Sequence, residues 1–461
     1  MPGTSPLWLE ISLDRVGDEV RVSARGSQGQ RTDVRPLGGG FDVPALRGYA
    51  ASVREAARRG EALSPELLGQ GRALHRALLE GEVGELHSEL RGRLDQAAAG
   101  RLVVRLVVHD DELKAVPWEA ACKPGEALGF WGSAPDLLPV RGVVSLEPWL
   151  SREVRGAVRV LAVAPAGGAA LATLHDALTD RIDAGEIEWL EPVGGARAQV
   201  KYLFDRLRRE PLPHVLHFLG HGGIDSKGRP VLRLADDDDD EERWLPVESL
   251  AQHLEAHLRG VLRLVVLEAC EGARPSAFAS AAEILARKGA DAVLAHLWPV
   301  KAEMARSCSR ELYGALAGAH PGSGDVALAL NEARRVMLAL SDTRAEAFSP
   351  VLYLRAPDGK LFDFKDRRVA RPPIVAPAPA AAGALDPDFV RLLGKPFSLV
   401  LGDRLKDERA ALTGFRQKLH EGLAENADPA PQGLSMGALA QRFEFRRSPD
   451  DLEGVFQETF G

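Results

Sequence analysis

Two side chains in this 461-residue sequence have the types and spacing for nucleophilic chemistry. His221 stands in "HFLGHGG", and Cys270 follows 49 residues later in "VVLEACEG". A thiol near its reference pKa of about 8.5 is only a few per cent thiolate at neutral pH. An adjacent imidazole takes the proton during attack and returns one to a leaving amine. Gly222, Gly223 and Gly272 flank the pair and let backbone approach a substrate carbonyl. The N–H groups of Gly222 and Cys270 are therefore candidate oxyanion donors. Glu268 lies two residues before Cys270; on a strand, i and i+2 share a face, so its carboxylate is expected beside the thiol. Asp225, four residues after the histidine, is a candidate for the substrate cleft, with a turn as its simpler role. His217 alternates with His221 and is expected to pack or bond within the sheet, while His214 and His296 read as strand-end residues. Cys122 and Cys308 lack metal-ligand spacing and read as passengers.

The elements that must position these groups follow from periodicity. Strands are predicted at "VRVLAVAP" (158–165), "HVLHFLGHGG" (214–223), "VLRLVVLEAC" (261–270) and "AVLAHLWPV" (292–300). Helical stretches separate them: "AQVKYLFDRLRR", "VESLAQHLEAHL" and "AFASAAEILARKG". Alternation of nearly continuous apolar strands with helices predicts an α/β fold with a mostly parallel sheet covered on both faces. Such sheets place their sites just outside the carboxyl ends of strands, where His221 and Cys270 both fall. A helical hairpin at roughly 302 to 340 and a last strand in "FSPVLYLRA" complete this part.

Upstream, "LWLEISL" and "EVRVSARG" alternate as a hairpin about Gly17-Asp18, helical spacing fills 46 to 98, and "RLVVRLVVH" is a strand. The reading divides the chain into 1–150, 151–365, a Pro/Ala-rich linker at 366–385, and a small module at 386–461 with one strand, "FSLVLGD", and helices. The acidic run Asp236–Asp240 with Glu241 and Glu242 reads as a solvated loop.

Composition narrows the class. Apolar residues make up 45% of the chain, enough for a substantial core, and the net charge of −8 argues against general nucleic-acid binding. Three cysteines give no disulfide framework and no metal site, no apolar run reaches membrane-spanning length, and no secretory leader is apparent. The expectation is a cytoplasmic protein that needs no cofactor and no membrane.

The His–Cys spacing is similar to that of caspases, where Gln-Ala-Cys-x-Gly follows its histidine by about 50 residues. Here Glu268 replaces the glutamine. Over residues 7 to 365, "VPWEAA", "PVRG", "VLHFLGHGG", "LEAC", "KGADAVLAHLWPV", "ELYGALA", "ALALNEARR" and "FSPVLYL" resemble, in order, the CHAT family of bacterial caspase-like proteases. The resemblance implies a caspase-like fold, with an N-terminal hairpin and helical region, and His221 and Cys270 as catalytic dyad. It also implies a protein or peptide substrate, regulation, and a setting in bacterial defence or cell death. Trp118 and Glu119 would belong to a structural motif packed under the site. The family commonly reads Ser-Ala-Cys-x-Thr-Gly, so Glu268 and the missing threonine are departures.

In this clan the residue two before the cysteine tends to line the pocket for the residue preceding the scissile bond. Metacaspases carry Asp there and prefer Arg or Lys; legumain-like enzymes carry Glu and prefer Asn. Glu268 is accordingly expected to select a basic residue, with pairing to one of the chain's own arginines as the alternative. Residues 386–461 faintly resemble the start of a SIR2-like domain, but Gly402 alone stands where several small residues belong. The module reads better as a recruitment or regulatory domain for an effector or sensor protein. Arg367, Arg368 and Arg371 make the linker a candidate for self-cleavage. Two other functions remain open: a catalytically silent caspase-like scaffold, and acyl transfer on a small molecule.

Overall fold

The computed structural model describes residues 7–96, 100–125, 129–145, 152–235, 243–269, 275–320, 322–339 and 344–365, with 417–419, 421 and 455. Two compact units result, Met1–Arg371 and Pro372–Gly461. In the second, the described residues are helical, and Gln417 Nε2 donates to Glu421 Oε1 one turn on, at 2.8 Å. The expected strand "FSLVLGD" and the Pro/Ala linker lie outside the described residues.

The first unit opens with β1 (Trp8–Val16), β2 (Glu19–Gly26), β3 (Arg35–Pro36), α1 (Val43–Arg59), α2 (Pro65–Leu78) and α3 (Gly81–Gln96). It continues with β4 (Leu102–Val108), α4 (Asp111–Lys114), β5 (Leu137–Gly142), β6 (Arg152–Arg155), β7 (Val158–Ala164), α5 (Gly168–Asp183), β8 (Ile187–Trp189) and β9 (Val193–Gly194). Next come α6 (Val200–Arg208), β10 (Val215–Gly220), β11 (Gly222–Ile224), β12 (Pro230–Leu234), β13 (Arg243–Pro246), α7 (Val247–Leu258) and β14 (Leu264–Ala269). The last are α8 (Pro275–Ile284), β15 (Ala292–His296), α9 (Ala302–Ala317), α10 (Val326–Ala339), β16 (Pro350–Leu354) and β17 (Phe362–Lys365).

Among the described residues, twelve strands form one sheet in the order β3-β2-β1-β4-β5-β16-β15-β14-β10-β7-β8, with β9 also on β7. Pairing is parallel except β1–β2, β2–β3 and β15–β16. The two regions expected at 1–150 and 151–365 thus share one sheet, joined where Tyr353 and Leu354 pair with Arg141 and Gly142. By the right-handed rule for parallel crossovers, the connections from β8 to β10, β10 to β14 and β14 to β15 carry α6, α7 and α8 to one face, where α7 packs on both α6 and α8. The return from β7 to β8 puts α5 on the other, where it meets α9, itself packed on α10. This is the expected α/β fold, a large mostly parallel sheet flanked by helices.

Local chemistry explains the helix ends. Asp42 caps α1 by accepting the Ala45 N–H at 2.8 Å, and Gly60 closes it at φ +70, where a Cβ is disfavoured. β5 is a strand that sequence reading passes over, because Pro139 lies within it. The proline is tolerated because β16 reaches only Arg141 and Gly142, so no partner on that side needs its missing N–H.

Arg141 also anchors the "PWE" turn. Its Nε donates to Glu119 Oε1 at 2.9 Å and its Nη2 to Glu119 Oε2 at 2.8 Å, and Nη2 donates to Val116 O as well. The two side chains are 3% and 0% exposed. Removing one partner of such a buried pair strands the other charge and typically costs about 3–5 kcal/mol. Glu119→Ala should lower the urea unfolding free energy by that amount. The double change Glu119→Leu with Arg141→Met should recover part of it, because the two opposite charges are removed together and neither is left without the other.

Candidate active site

β10 and β14 run in parallel without a slip: Val215 lies opposite Leu264, and each pair follows to Gly220 opposite Ala269. His221 is the next residue after β10, half-buried, before the chain turns into β11. Cys270 is the next residue after β14 in sequence; it lies outside the described residues, as do 271–274.

The segment after His221 is a small sheet of its own, β11-β12-β13. Arg233 N donates to His221 O at 2.9 Å, and Asp225 N donates to Arg229 O at 2.9 Å. Hydrogen-bonded pairs alternate along an antiparallel ladder, so Gly222 has its N–H directed away from β12. Gly223 lies close under the Trp244 ring, where a Cβ would sit 3.2 Å from the indole, so a larger residue would require that ring to give by a few tenths of an ångström. That indole is 41% exposed. Asp225 serves the turn: Oδ1 accepts the N–H groups of Lys227 and Arg229 at 2.9 and 2.8 Å, and Oδ2 pairs with the Arg229 guanidinium. The Arg229 N–H, chief among these bonds, holds its carboxyl below the usual range.

Glu268 points to the α9 face, where the structure supplies partners that the sequence did not announce. Its Oε2 lies 3.2 Å from His217 Nε2, and His217 Nδ1 lies 3.0 Å from Tyr313 Oη on α9. The alternative of a pairing with one of the chain's own arginines is not what the described residues show; His217 lies beside the carboxylate instead. Burial, the largest influence, raises the Glu268 carboxyl, but the His217 hydrogen bond, followed by the nearness of the two imidazoles and a hydrogen bond from Ser309, outweighs it and lowers it overall. His296, in line with Glu268 on β15, has Nδ1 3.4 Å from Ser349 Oγ. His214 accepts the Arg159 N–H at 3.1 Å. The signal for this cluster was present in parity: His217 and Glu268 interrupt apolar strands at positions that share a face. Tyr313 and Ser309, on a remote helix, gave no such sign.

The other two cysteines are buried and free. Burial, then the Glu268 charge, pushes the Cys308 thiol up to about 12, and burial raises Cys122. Trp118, fully buried, donates Nε1–H to Leu113 O, and Glu119 beside it in sequence is held by Arg141 of β5. A cavity of about 530 Å³ lined by Asp14, Arg15, Gly17, Asp18, His109 and Asp110 opens at the far ends of β1 and β4, five strands from β10. Among the described residues, no group of acids, histidines and cysteines has the arrangement to hold a metal ion. No helix among them is long and apolar enough to cross a membrane.

The CHAT domain profile matches residues 69–368, more than half of the chain. The chain belongs to the CHAT domain family. Solved structures similar to this CHAT protein include the Saccharomyces cerevisiae separase–securin complex, at 13% identity and a TM-score of 0.45, over 78% of this chain and 30% of that one. A second structure of that complex gives 13% and 0.44, over 76% and 30%. Gingipain R, an Arg-specific cysteine proteinase, gives 10% and 0.37, over 69% and 75%. The chain thus spans about 30% of the length of the separase chains it resembles. No curated protein sequence matches it. The family match ends at 368, short of residues 386–461, and none of these matches supports the SIR2-like resemblance there.

Two buried histidines of this CHAT domain, His214 and His296, tie its expected stability to pH. Burial lowers His296 to about 4, and burial with the nearby Arg159 and Arg263 lowers His214 to about 3. Both stay neutral in the folded chain while the unfolded chain protonates them below about 6.5. Their stabilisation is therefore complete above that pH and lost as pH falls through 5 toward the folded values. Each contributes a slope of up to about 1.4 kcal/mol per pH unit. Urea unfolding between pH 7.5 and 4.5 should show this decline, and a shallower one in His214→Gln.

Proposed function

We propose that this CHAT protein is a cysteine endopeptidase in which His221 activates Cys270. The carrying observation is the register of β10 and β14: Gly220 lies opposite Ala269, so the residues before His221 and Cys270 are level neighbours. Adjacent strands run about 4.8 Å apart. In this reading His221 takes the Sγ proton as sulfur attacks the scissile carbonyl carbon. The oxyanion that forms is met by the N–H groups of Gly222 and Cys270. As the C–N bond breaks, the imidazolium delivers its proton to the leaving amine. Water, deprotonated by His221, then hydrolyses the thioester and frees Cys270.

Glu268 supplies specificity. Its carboxylate is held below its usual pKa and its side chain keeps 17% of its surface in solvent, in the residue pair preceding the cysteine. A carboxylate there favours a cationic side chain before the scissile bond, through a charge-assisted hydrogen bond. Cleavage after arginine or lysine is the expected preference. The bacterial defence setting and the recruiting role of residues 386–461 belong to the same proposal and rest on the family resemblance.

Alkylation by iodoacetamide, followed at each cysteine by peptide mass spectrometry across pH, tests the dyad. Cys270 should react well below pH 8, and His221→Ala should remove that reactivity. Cys122 and Cys308, buried with raised thiol pKa values, serve as slow controls. Cys270→Ala should abolish cleavage of a basic-residue peptide library without changing the fold. A Cys270 no more reactive than the controls would favour the silent scaffold instead.

A further inference from the structure

We infer that His217 and Tyr313 are positioning residues that present Glu268 as a fixed, fully charged carboxylate to the substrate's basic side chain. This rests on the reading of Glu268 as the specificity group and adds how its charge and direction are set. A carboxylate only accepts hydrogen bonds, so the hydrogen of the 3.2 Å contact sits on His217 Nε2. At the other nitrogen, Tyr313 Oη is 3.0 Å away, and among the described residues that hydroxyl has no other acceptor within hydrogen-bond distance. A hydrogen on Nδ1 as well would leave the buried Tyr313 proton unpaired, a state native interiors avoid. Nδ1 therefore accepts from Tyr313, the imidazole carries one hydrogen and no charge, and Glu268 is oriented without being neutralised.

Burial sharpens the point. His217 and Tyr313 are fully buried, with ring planes 18° apart and centroids 5.9 Å apart, and Ser309 is buried beside them. Within this group Glu268 alone reaches solvent, through its 17% exposed side chain. A pair serving packing alone would enclose the acid. This one fixes an oxygen from behind and leaves the group open at the end of β14, one residue from the start of the 270–274 segment.

The test uses the full chain and peptides that differ only in arginine against its uncharged isostere citrulline before the scissile bond. His217→Leu removes the donor and should raise KM for the arginine peptide about tenfold, the scale of one charge-assisted hydrogen bond, with kcat changed far less. The arginine/citrulline ratio should shrink in step. His217→Gln, whose amide reaches where Nε2–H stood, should restore most of both, and Tyr313→Phe should fall between. Unchanged KM and ratio in a folded His217→Leu, or no rescue by glutamine, overturns the inference.

Because a buried leucine can impair folding, 15N NMR of the unaltered chain provides a second reading that needs no catalysis. The His217 signals, identified by their loss in His217→Gln, should show hydrogen on Nε2 alone at pH 7.5. Hydrogen on Nδ1, or on both nitrogens, overturns it. Glu268→Gln separates the two levels. If the unaltered chain shows no arginine/citrulline preference, the specificity reading fails; if Glu268→Gln abolishes a preference that His217→Leu leaves intact, only the positioning role fails.

Discussion

Side chains on neighbouring parallel strands share a face only while the register holds, and β10 and β14 hold theirs for six pairs. Slipping one strand by a single residue would turn its polar group to the opposite face. His217 would then point toward the side covered by α6, α7 and α8, where Leu216 and Phe218 now pack, or Glu268 would replace Leu267 there. Neither side chain would meet α9. The same slip would separate the levels at which the two strands release the segments beginning with His221 and Cys270. One register thus sets both the direction of Glu268 and the relation of the two strand ends.

What keeps that register is apolar matching on one face and polar matching on the other. Val265, Leu267, Val293 and Ala295 are buried beneath the helices of the first face and gain by burial alone. The opposite face carries His217, Glu268 and His296 into the same sheet, where unpaired polar groups would be destabilising. Each has a partner: Tyr313 and Ser309 from α9, and Ser349 ahead of β16. These bonds are directional, so they discriminate against alternative packings of α9 in a way that leucines would not.

The sequence was most legible where periodicity and burial coincide. The runs giving β2, β4, β7, β10, β14, β15 and α7 show in their apolar pattern, because each is buried along its length or down one stripe. β5 was hidden by Pro139, and β12 and β13 by their shortness and by the acidic run at 236–242 between them, which lies outside the described residues. His221 and Gly222 stand out in sequence because a polar residue and glycines end an apolar run, and the structure places that break at the end of β10. Glu268 stands out for its place two before the cysteine, but its sequence suggests only a cationic partner, from the substrate or from the chain's own arginines. The partner proved to be a histidine already noticed and read separately, since sequence gives parity within a strand but not which strands are neighbours.

That pairing gives a physical reason for glutamate, rather than serine or aspartate, at position 268. His217 lies opposite Val266, so it is a diagonal neighbour of Glu268, one strand across and two residues back. Strand spacing and rise put such Cα atoms roughly 8 Å apart. Serine has neither the charge nor the reach, and aspartate, shorter by a methylene, would have to bend toward His217 and away from solvent. Glutamine would span the gap, but its uncharged amide would offer a cation far less. Glutamate alone among these meets a fixed donor behind it while holding a full charge at the strand end, so the residue at 268 and the histidine at 217 are best understood as one choice made on two strands.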